Sequence, residues 1–548
     1  MRQLLFVITL ITVIYACEDT KPSIKDDASR TAIDSAAVEQ HLATLSSDEF
    51  EGRKPFSAGE TKTVNYLVNA FKEMGLQPGN GDSYIQEVPM VEIVGQPAET
   101  LELKGKSGQK TLQLGEDFVT YTEKTEELVS IEASELVFCG YGIVAPEYGW
   151  NDYEGIDMKG KTAVVMVNDP GFENEQDSTI FKGNTMTYYG RWTYKYEEAA
   201  RQGAAACLII HETRAAGYPW FVVSSSWSGG MLNLESNAPK CNLQGWITLT
   251  TAADIFKLAE TGQKGFFEQA KSADFKPIPL GIEISTSVKN ELKRDVSQNV
   301  IAMLPAKEKS EEYIIYSTHW DHLGAGQVVA GDSIYNGALD NASGTASVLG
   351  IAQAFADLAE APSRNVVFLA VTAEEQGLLG SAYYAEYPIF PPQQTIANLN
   401  IDGVNFYGAT NDLSVVGYGQ SDMDDIATEE AKKQGRYVTP DAQPEKGFFF
   451  RSDQFSFAKI GIPVLYTDSG IDHKTKGKDY ARLQLDQYTA ERYHRPADHY
   501  VPGEWDLSGM MEDAQLFFNI GLRLANSDEY PAWKDNSEFK SKRQPLKD

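Results

Sequence analysis

The feature that most constrains this chain is an alternation of segments that begins at Ser297. Short, apolar, β-branched stretches are NVIAMLP (Asn299–Pro305), YIIYSTH (Tyr313–His319), NVVFLAVTA (Asn365–Ala373) and PVLYT (Pro463–Thr467). Helix-patterned segments such as SGTASVLGIAQAFADLA (Ser343–Ala359) separate them. Strands this apolar have both faces covered, and the intervening helices supply the cover. The alternation predicts an α/β domain built on a mixed, mostly parallel sheet with helices on both faces. Ligands of such sheets bind outside the carboxyl ends of the strands. The polar residues that directly follow each stretch are therefore the ones to examine.

Five of the seven histidines fall between 319 and 499. In STHWDHLG (Ser317–Gly324), His319 ends a strand and Asp321 follows two residues later; a metal-bound imidazole needs an acceptor for its other ring N–H. In NGALDNASGTA (Asn336–Ala346), Asp340 precedes an apolar helix. Taken alone it reads first as a helix N-cap, with Asn341 and Ser343 as further cap or turn residues. In FLAVTAEEQGLLGS (Phe368–Ser381), Glu374 and Glu375 are adjacent and repel one another unless a cation or proton intervenes. Paired roles would explain both, one carboxylate binding metal and the other moving a proton; the plainer alternative is an acidic first helical turn. Asp402 ends the strand in ANLNIDGV (Ala397–Val404), and His494 and His499 lie in YHRPADHY (Tyr493–Tyr500). Two histidines and three carboxylates make a suitable set for two zinc ions that share one carboxylate.

The order His-x-Asp, GALDNASG, TAEEQGLLGS, NIDG, YH resembles the M28 family of zinc peptidases. The resemblance runs over about 235 residues from Ser297 and includes the GR…G…GL.P segment near residues 52–78. It implies that His319 and Asp402 bind one zinc, that Glu375 and His494 bind the other, and that Asp340 bridges them. Asp321 would orient His319. Glu374 would be the general base, activating a metal-bridging water and passing its proton to the leaving amine. Tyr493 would stabilise the oxyanion. The segment EKGFFFRSDQFSFAKIGIP (Glu445–Pro463) resembles the family's substrate-side loop, so Arg451, Ser452 and Asp453 are pocket candidates; they read equally as a local ion pair and loop caps. The run Phe448–Phe450 would line a pocket or join the core. His322 is close enough to His319 to support it, His499 belongs at the surface or rim, and His41, His211 and His473 have no metal-ligand context.

A β-rich region precedes the catalytic segment, with LVFCGYGI (Leu136–Ile143), KTAVVMVND (Lys161–Asp169) and AACLIIH (Ala205–His211). It is similar to the protease-associated (PA) domain that some M28 members carry as an insertion. The expected organisation is residues 31–95 and 292–527 as the two parts of the peptidase domain, 96–291 as the insert and 528–548 as a polar, irregular tail. The implied activity is that of a co-catalytic two-zinc exopeptidase acting on peptides, an aminopeptidase first. A carboxypeptidase of the same family is the alternative, because Arg451 could receive a substrate carboxylate. A single-zinc glutaminyl cyclase is a more distant one. A non-catalytic binding protein on this scaffold would lack ligands or the base, and here none is missing.

The charge, 48 basic against 78 acidic residues for a net −30, argues against a nucleic-acid partner, which needs a positive face. With 42% hydrophobic residues the chain has ample core material. The apolar run Leu4–Ala16 is 13 residues long, short of the roughly 20 that cross a bilayer. Arg2 before it and the small Ala16 after it mark a secretory signal. Ile14-Tyr15-Ala16-Cys17 resembles a bacterial lipoprotein box, which gives residues 1–17 as a signal, 18–30 as a tether, and a lipid anchor through Cys17 in the cell envelope, in the periplasm or at the outer membrane. An ordinary cleaved signal is the alternative. The remaining cysteines, Cys139, Cys207 and Cys241, are odd in number, without close metal-ligand partners, and read as structural.

Overall fold

The computed structural model describes residues 32–172, 179–227, 229–259 and 263–543. The apolar run with Cys17 and the expected tether 18–30 lie outside these residues. Helix α1 (Ser35–Leu45) starts where the Asp34 carboxylate accepts the Ala36 and Ala37 N–H groups, and it buries Val38, Leu42 and Leu45. Helix α2 (Ala58–Glu73) is capped by Ser57 and buries Val64, Leu67 and Phe71. Both present an apolar stripe at helical spacing.

The chain then runs out along β1 (Ile85–Pro97) into the inserted unit. The centre of that unit is β2 (Leu128–Phe138), β3 (Thr162–Met166), β4 (Ala206–His211) and β5 (Leu243–Thr248), in which β3 pairs in parallel with β2 and β4, and β4 with β5. Alternate side chains of a strand point to opposite faces. Val164, Leu208 and Ile247 accordingly enter one core, and Val165, Ile209 and Trp246 the other. Helix α3 (Trp192–Arg201) covers the second face with Tyr196 and Ala199. Cys139, Cys207 and Cys241 are buried there as free thiols.

The 27-residue β6 (Ile278–Leu304) brings the chain back. It pairs antiparallel with β2 and then with β1, from Val288 opposite Pro97 to Val300 opposite Ile85. The expected boundaries after residues 95 and 291 fall at nearly facing positions in this ribbon, so the residues on either side of each share a continuous strand. The end of β6 also begins the second part of the sheet, pairing antiparallel with β8 (Asn365–Val371). Next comes β7 (Tyr313–His319), then β9 (Thr395–Asn400), then β12 (Val464–Asp468). The pairings β8/β7, β7/β9 and β9/β12 are parallel. An edge follows of β10 (Asp412–Val415), antiparallel to β12, and β11 (Tyr437–Pro440), parallel to β10. This is the mixed sheet with a parallel centre that the alternation predicts.

Every residue of β8 and β9 is buried. Helices α1, α2, α4 (Gly344–Ala356) and α5 (Ser508–Asn526) cover one face, meeting Val366, Phe368 and Ala370 of β8. On the other face Val367, Leu369 and Val371 meet Tyr384, Phe450, Phe457, Trp533 and Phe539. The last two belong to the C-terminal tail. The described part of that segment is packed: Glu538 pairs with Lys182 at 2.6 Å and accepts the Tyr188 N–H at 3.1 Å.

Candidate metal centre

The three central parallel strands end side by side and deliver the chemistry-bearing residues to one place. His319 is the last residue of β7, Glu374 and Glu375 follow β8, and Asp402 follows β9. His319 Nε2 lies 3.1 Å from Asp402 Oδ1, 3.3 Å from Asp340 Oδ1 and 4.0 Å from Glu374 Oε2. His494 Nε2 lies 3.3 Å from Asp340 Oδ2 and 3.1 Å from Glu375 Oε2. The structure thus brings together all five residues expected as ligands, with Glu374 beside them. Asp340 turns one oxygen toward each imidazole.

Asp340 is not the cap of the helix that follows. That part falls to Asn341, whose Oδ1 accepts the Gly344 N–H at 3.0 Å. The same oxygen accepts the Gly403 N–H at 3.0 Å, and Asn341 Nδ2 donates to the Ile401 carbonyl at 3.1 Å. Asn341 therefore stitches the Asp340 loop to the Asp402 loop. Asp498 holds the other side, accepting the N–H groups of Leu339 at 3.1 Å and Asp340 at 3.3 Å. Glu374 and Glu375 lie in a turn ahead of the helix Leu379–Glu386, outside its first turn.

Asp321 supports the site differently from expectation. His319 Nδ1 is 3.2 Å from the backbone carbonyl of Asp321 and 3.7 Å from its carboxylate, too far for a hydrogen bond to the latter. The carboxylate instead accepts the Glu374 N–H at 3.0 Å, so Asp321 fixes the backbone of Glu374 and touches His319 through its main chain. His322, buried, places Nδ1 2.5 Å from Glu375 Oε1. Tyr466 is on β12 opposite Asn400; burial and then the charges of Asp402, Asp468, Glu374 and Asp340 push its pKa up. Sequence patterns did not single out Asp498 or Tyr466; the former's only signal is its position four residues after His494. His41, His211 and His473 bond elsewhere, and His499 is exposed.

The electrostatics follow from burial. Burial alone would lower the His319 pKa, but Glu374 and Asp402 outweigh it and raise it well above the ordinary value. His494 is likewise drawn down by burial and held up at about 10 by Asp340 and Glu375. Asp340, despite burial, is kept well below the usual carboxylate range by hydrogen bonds to the two imidazoles. Glu374 goes the other way: burial raises its pKa, His319 opposes this only in part, and Asp402 and Glu375 add to it. Carboxylates this close repel one another unless a cation or a proton intervenes. The donors are imidazole nitrogens and carboxylate oxygens, the set zinc takes at catalytic sites. Asp321 Oδ2 and His322 Nε2 are buried with no hydrogen-bond partner among the described residues, further polar demand around the centre. The residues present therefore fit two zinc ions.

Residues 299–518 match the sequence model of peptidase family M28. Aminopeptidase NAALADL1 of Mus musculus is 32% identical over 178 residues, which are 31% of this chain and 21% of that protein. A probable zinc metalloprotease of Pyricularia oryzae is 34% identical over 106 residues, 19% of each chain. The chain spans about a fifth of the length of these curated relatives. Among solved structures, an aminopeptidase from Aneurinibacillus sp. strain AM-1 aligns over 92% of this chain and 96% of its own, at 20% identity and a TM-score of 0.47.

The centre is open on one side, where Asp402 and Asp340 keep 15% and 16% of their side-chain surface. Tyr493 is on that side, its ring stacked on His494 at 3.9 Å between centroids. Of the three pocket candidates, only Arg451 is exposed. Its Nη2 donates to the Lys446 carbonyl at 2.7 Å and its guanidinium lies over Phe448. Ser452 and Asp453 correct the expectation: they are buried behind the centre, because the short helix Gln454–Lys459 turns them inward. Ser452 Oγ accepts from Asn400 Nδ2 at 2.9 Å and braces the end of β9. The Asp453 carboxyl is buried, which pushes its pKa up to about 7. Phe449 and Phe450 are core residues.

Proposed function

We propose that this chain is a two-zinc exopeptidase that removes residues from the amino terminus of peptides. The observation that carries the reading is the Asp340 carboxylate, with one oxygen 3.3 Å from each of two imidazoles that belong to separate ligand sets. His319, Asp402 and Asp340 would hold one zinc, and Asp340, Glu375 and His494 the other. Zinc bound there polarises the scissile carbonyl and makes water acidic enough to attack near neutral pH.

The chain's own residues do the rest. Glu374 faces the centre, and its backbone is fixed by Asp321. It takes one proton from the attacking water as the C–O bond forms and gives it to the amine nitrogen as the C–N bond breaks. The Tyr493 phenol stands on the open side next to His494, where it donates to the developing oxyanion.

One observation favours a second reading, a carboxypeptidase: Arg451 is exposed near Tyr493, and no carboxylate among the described residues pairs with it. Peptides blocked at one end or the other, incubated with the zinc-loaded protein with and without chelator, separate the two. Hydrolysis of the carboxyl-blocked peptide alone supports the aminopeptidase; hydrolysis of the amino-blocked peptide alone supports the carboxypeptidase. No chelator-sensitive cleavage of either rejects both.

A further inference from the structure

Arg53 lies beneath the metal centre and is 1% exposed. A buried guanidinium ordinarily sits against a carboxylate, yet no ion pair within 4 Å involves it among the described residues. All its side-chain hydrogen bonds go to backbone carbonyls. Nε donates to Trp320 at 2.9 Å, Nη1 to Leu45 at 2.7 Å and Asn336 at 2.6 Å, and Nη2 to Gly337 at 2.8 Å. Trp320 sits between His319 and Asp321. Asn336 and Gly337 lead into Asp340. One side chain thus joins the loop that carries His319, Asp321 and His322 to the loop that carries Asp340, and ties both to the end of α1.

The backbone is bent to make this reach. Glu51, Gly52 and Arg53 all have positive φ, at 51°, 65° and 50°. A Cβ on Gly52 would meet the carbonyl oxygens of Tyr335 at 2.4 Å and Gly324 at 2.7 Å, so only glycine fits the middle position. Consecutive left-handed residues persist where the surroundings over-determine them, and such places cluster at functional sites. The charges that face Arg53 are Asp321, Asp498, Asp340 and Glu375. Two of these are metal ligands and the other two hold ligand-bearing loops.

We propose that Arg53 is a positioning residue of the metal centre: it sets the spacing of the two ligand loops and places a permanent positive charge behind their carboxylates. The assignment rests on the two-zinc reading above. The loops are thereby pre-organised before metal arrives, and their acids are partly neutralised. Arg53 is sequestered from substrate and takes no part in the chemistry.

The test uses the full chain as wild type, Arg53→Lys and Arg53→Met. Each is stripped with chelator and titrated with zinc against a competing fluorescent chelator, and thermal midpoints are read with and without zinc. Lysine keeps the charge but cannot span four carbonyls. Arg53→Lys is expected to keep a metal-free midpoint close to wild type and to lose at least 10-fold in zinc affinity. Arg53→Met is expected to lose both, with the zinc-loaded midpoint falling more than the metal-free one, because weaker binding adds less stability. If Arg53→Met does not fold without metal, refolding in saturating zinc is expected to recover it. The inference is overturned by wild-type zinc affinity in both variants, or by Arg53→Met staying unfolded in saturating zinc. A wild type that binds no zinc instead defeats the two-zinc reading itself, so the two failures are distinguishable.

Discussion

His322 Nδ1 and Glu375 Oε1 are 2.5 Å apart in a buried corner of the site, while the other Glu375 oxygen turns to His494 at 3.1 Å. Glu375 is thus gripped on one side and offered on the other. The His322 ring rests on Gly337, where a Cβ would come within 2.5 Å of the imidazole. Groups that orient a ligand are typically worth about 10–100-fold in metal affinity. His322→Ala is expected to weaken zinc at the Glu375–His494 position by that factor and leave the His319–Asp402 position little changed. Competition with a chelator resolves the two affinities; two unchanged constants would show that His322 only fills space.

Glu374→Gln keeps the shape and removes the base. General-base catalysis typically contributes about 10²–10⁴-fold, so kcat is expected to fall by that factor. Zinc content and KM should stay near wild type, because the expected ligands are the other residues. Metal analysis alongside initial rates checks both halves. A variant with undiminished kcat would remove Glu374 from the mechanism.

How far the sequence carries depends on the range of the contact. His319, Glu375 and Asp402 were legible because each ends or closely follows a buried strand, and parallel neighbours in a sheet place their ends together; Asp340 and His494 come from loops next to helices. His319 and Asp402 meet for that reason alone. Arg53 and Asn336 are 283 positions apart, and no local pattern links them. Asp498 reaches Leu339 across 159 positions in the same way. The triplet Arg451–Asp453 reads in sequence as pocket residues or as a local ion pair with loop caps, but the short helix that follows buries its last two members. The insert boundaries were read from a change of composition, whereas the backbone crosses them inside β1 and β6.

The tail supplies a stability prediction. Phe539 is 1% exposed and packs between Trp533 at 5.1 Å and Phe449 at 5.8 Å, with Tyr188 of the insert at 6.2 Å. Truncating a buried phenylalanine to alanine typically costs about 3–5 kcal/mol, through lost burial and the cavity left behind. Phe539→Ala is expected to lower the unfolding free energy by that much in denaturant titration. A loss under about 1 kcal/mol would mean that the tail is dispensable to the core.

Lys195 supplies a pH prediction, away from the metal centre. It is wholly buried in the insert, and Nζ donates to the carbonyls of Asn168 at 2.8 Å and Tyr189 at 2.6 Å. Burial lowers its pKa to about 7, against the opposing pull of Asp169 and then Asp152. An unfolded lysine titrates near 10.4. Between those values the unfolded chain holds a proton that the folded chain does not, so folding grows more favourable as pH rises, and the gain is lost as pH falls back through about 7. The slope for one proton is at most about 1.4 kcal/mol per pH unit. Asp152, raised to about 7 by burial, acts in the opposite sense below that pH and has finished titrating above pH 8. The window from pH 8 to 9.5 therefore isolates the lysine. Across it the wild type is expected to gain stability relative to Lys195→Met, in denaturant titrations run at each pH. Curves that stay parallel across the window would mean that Lys195 keeps its proton in the folded protein.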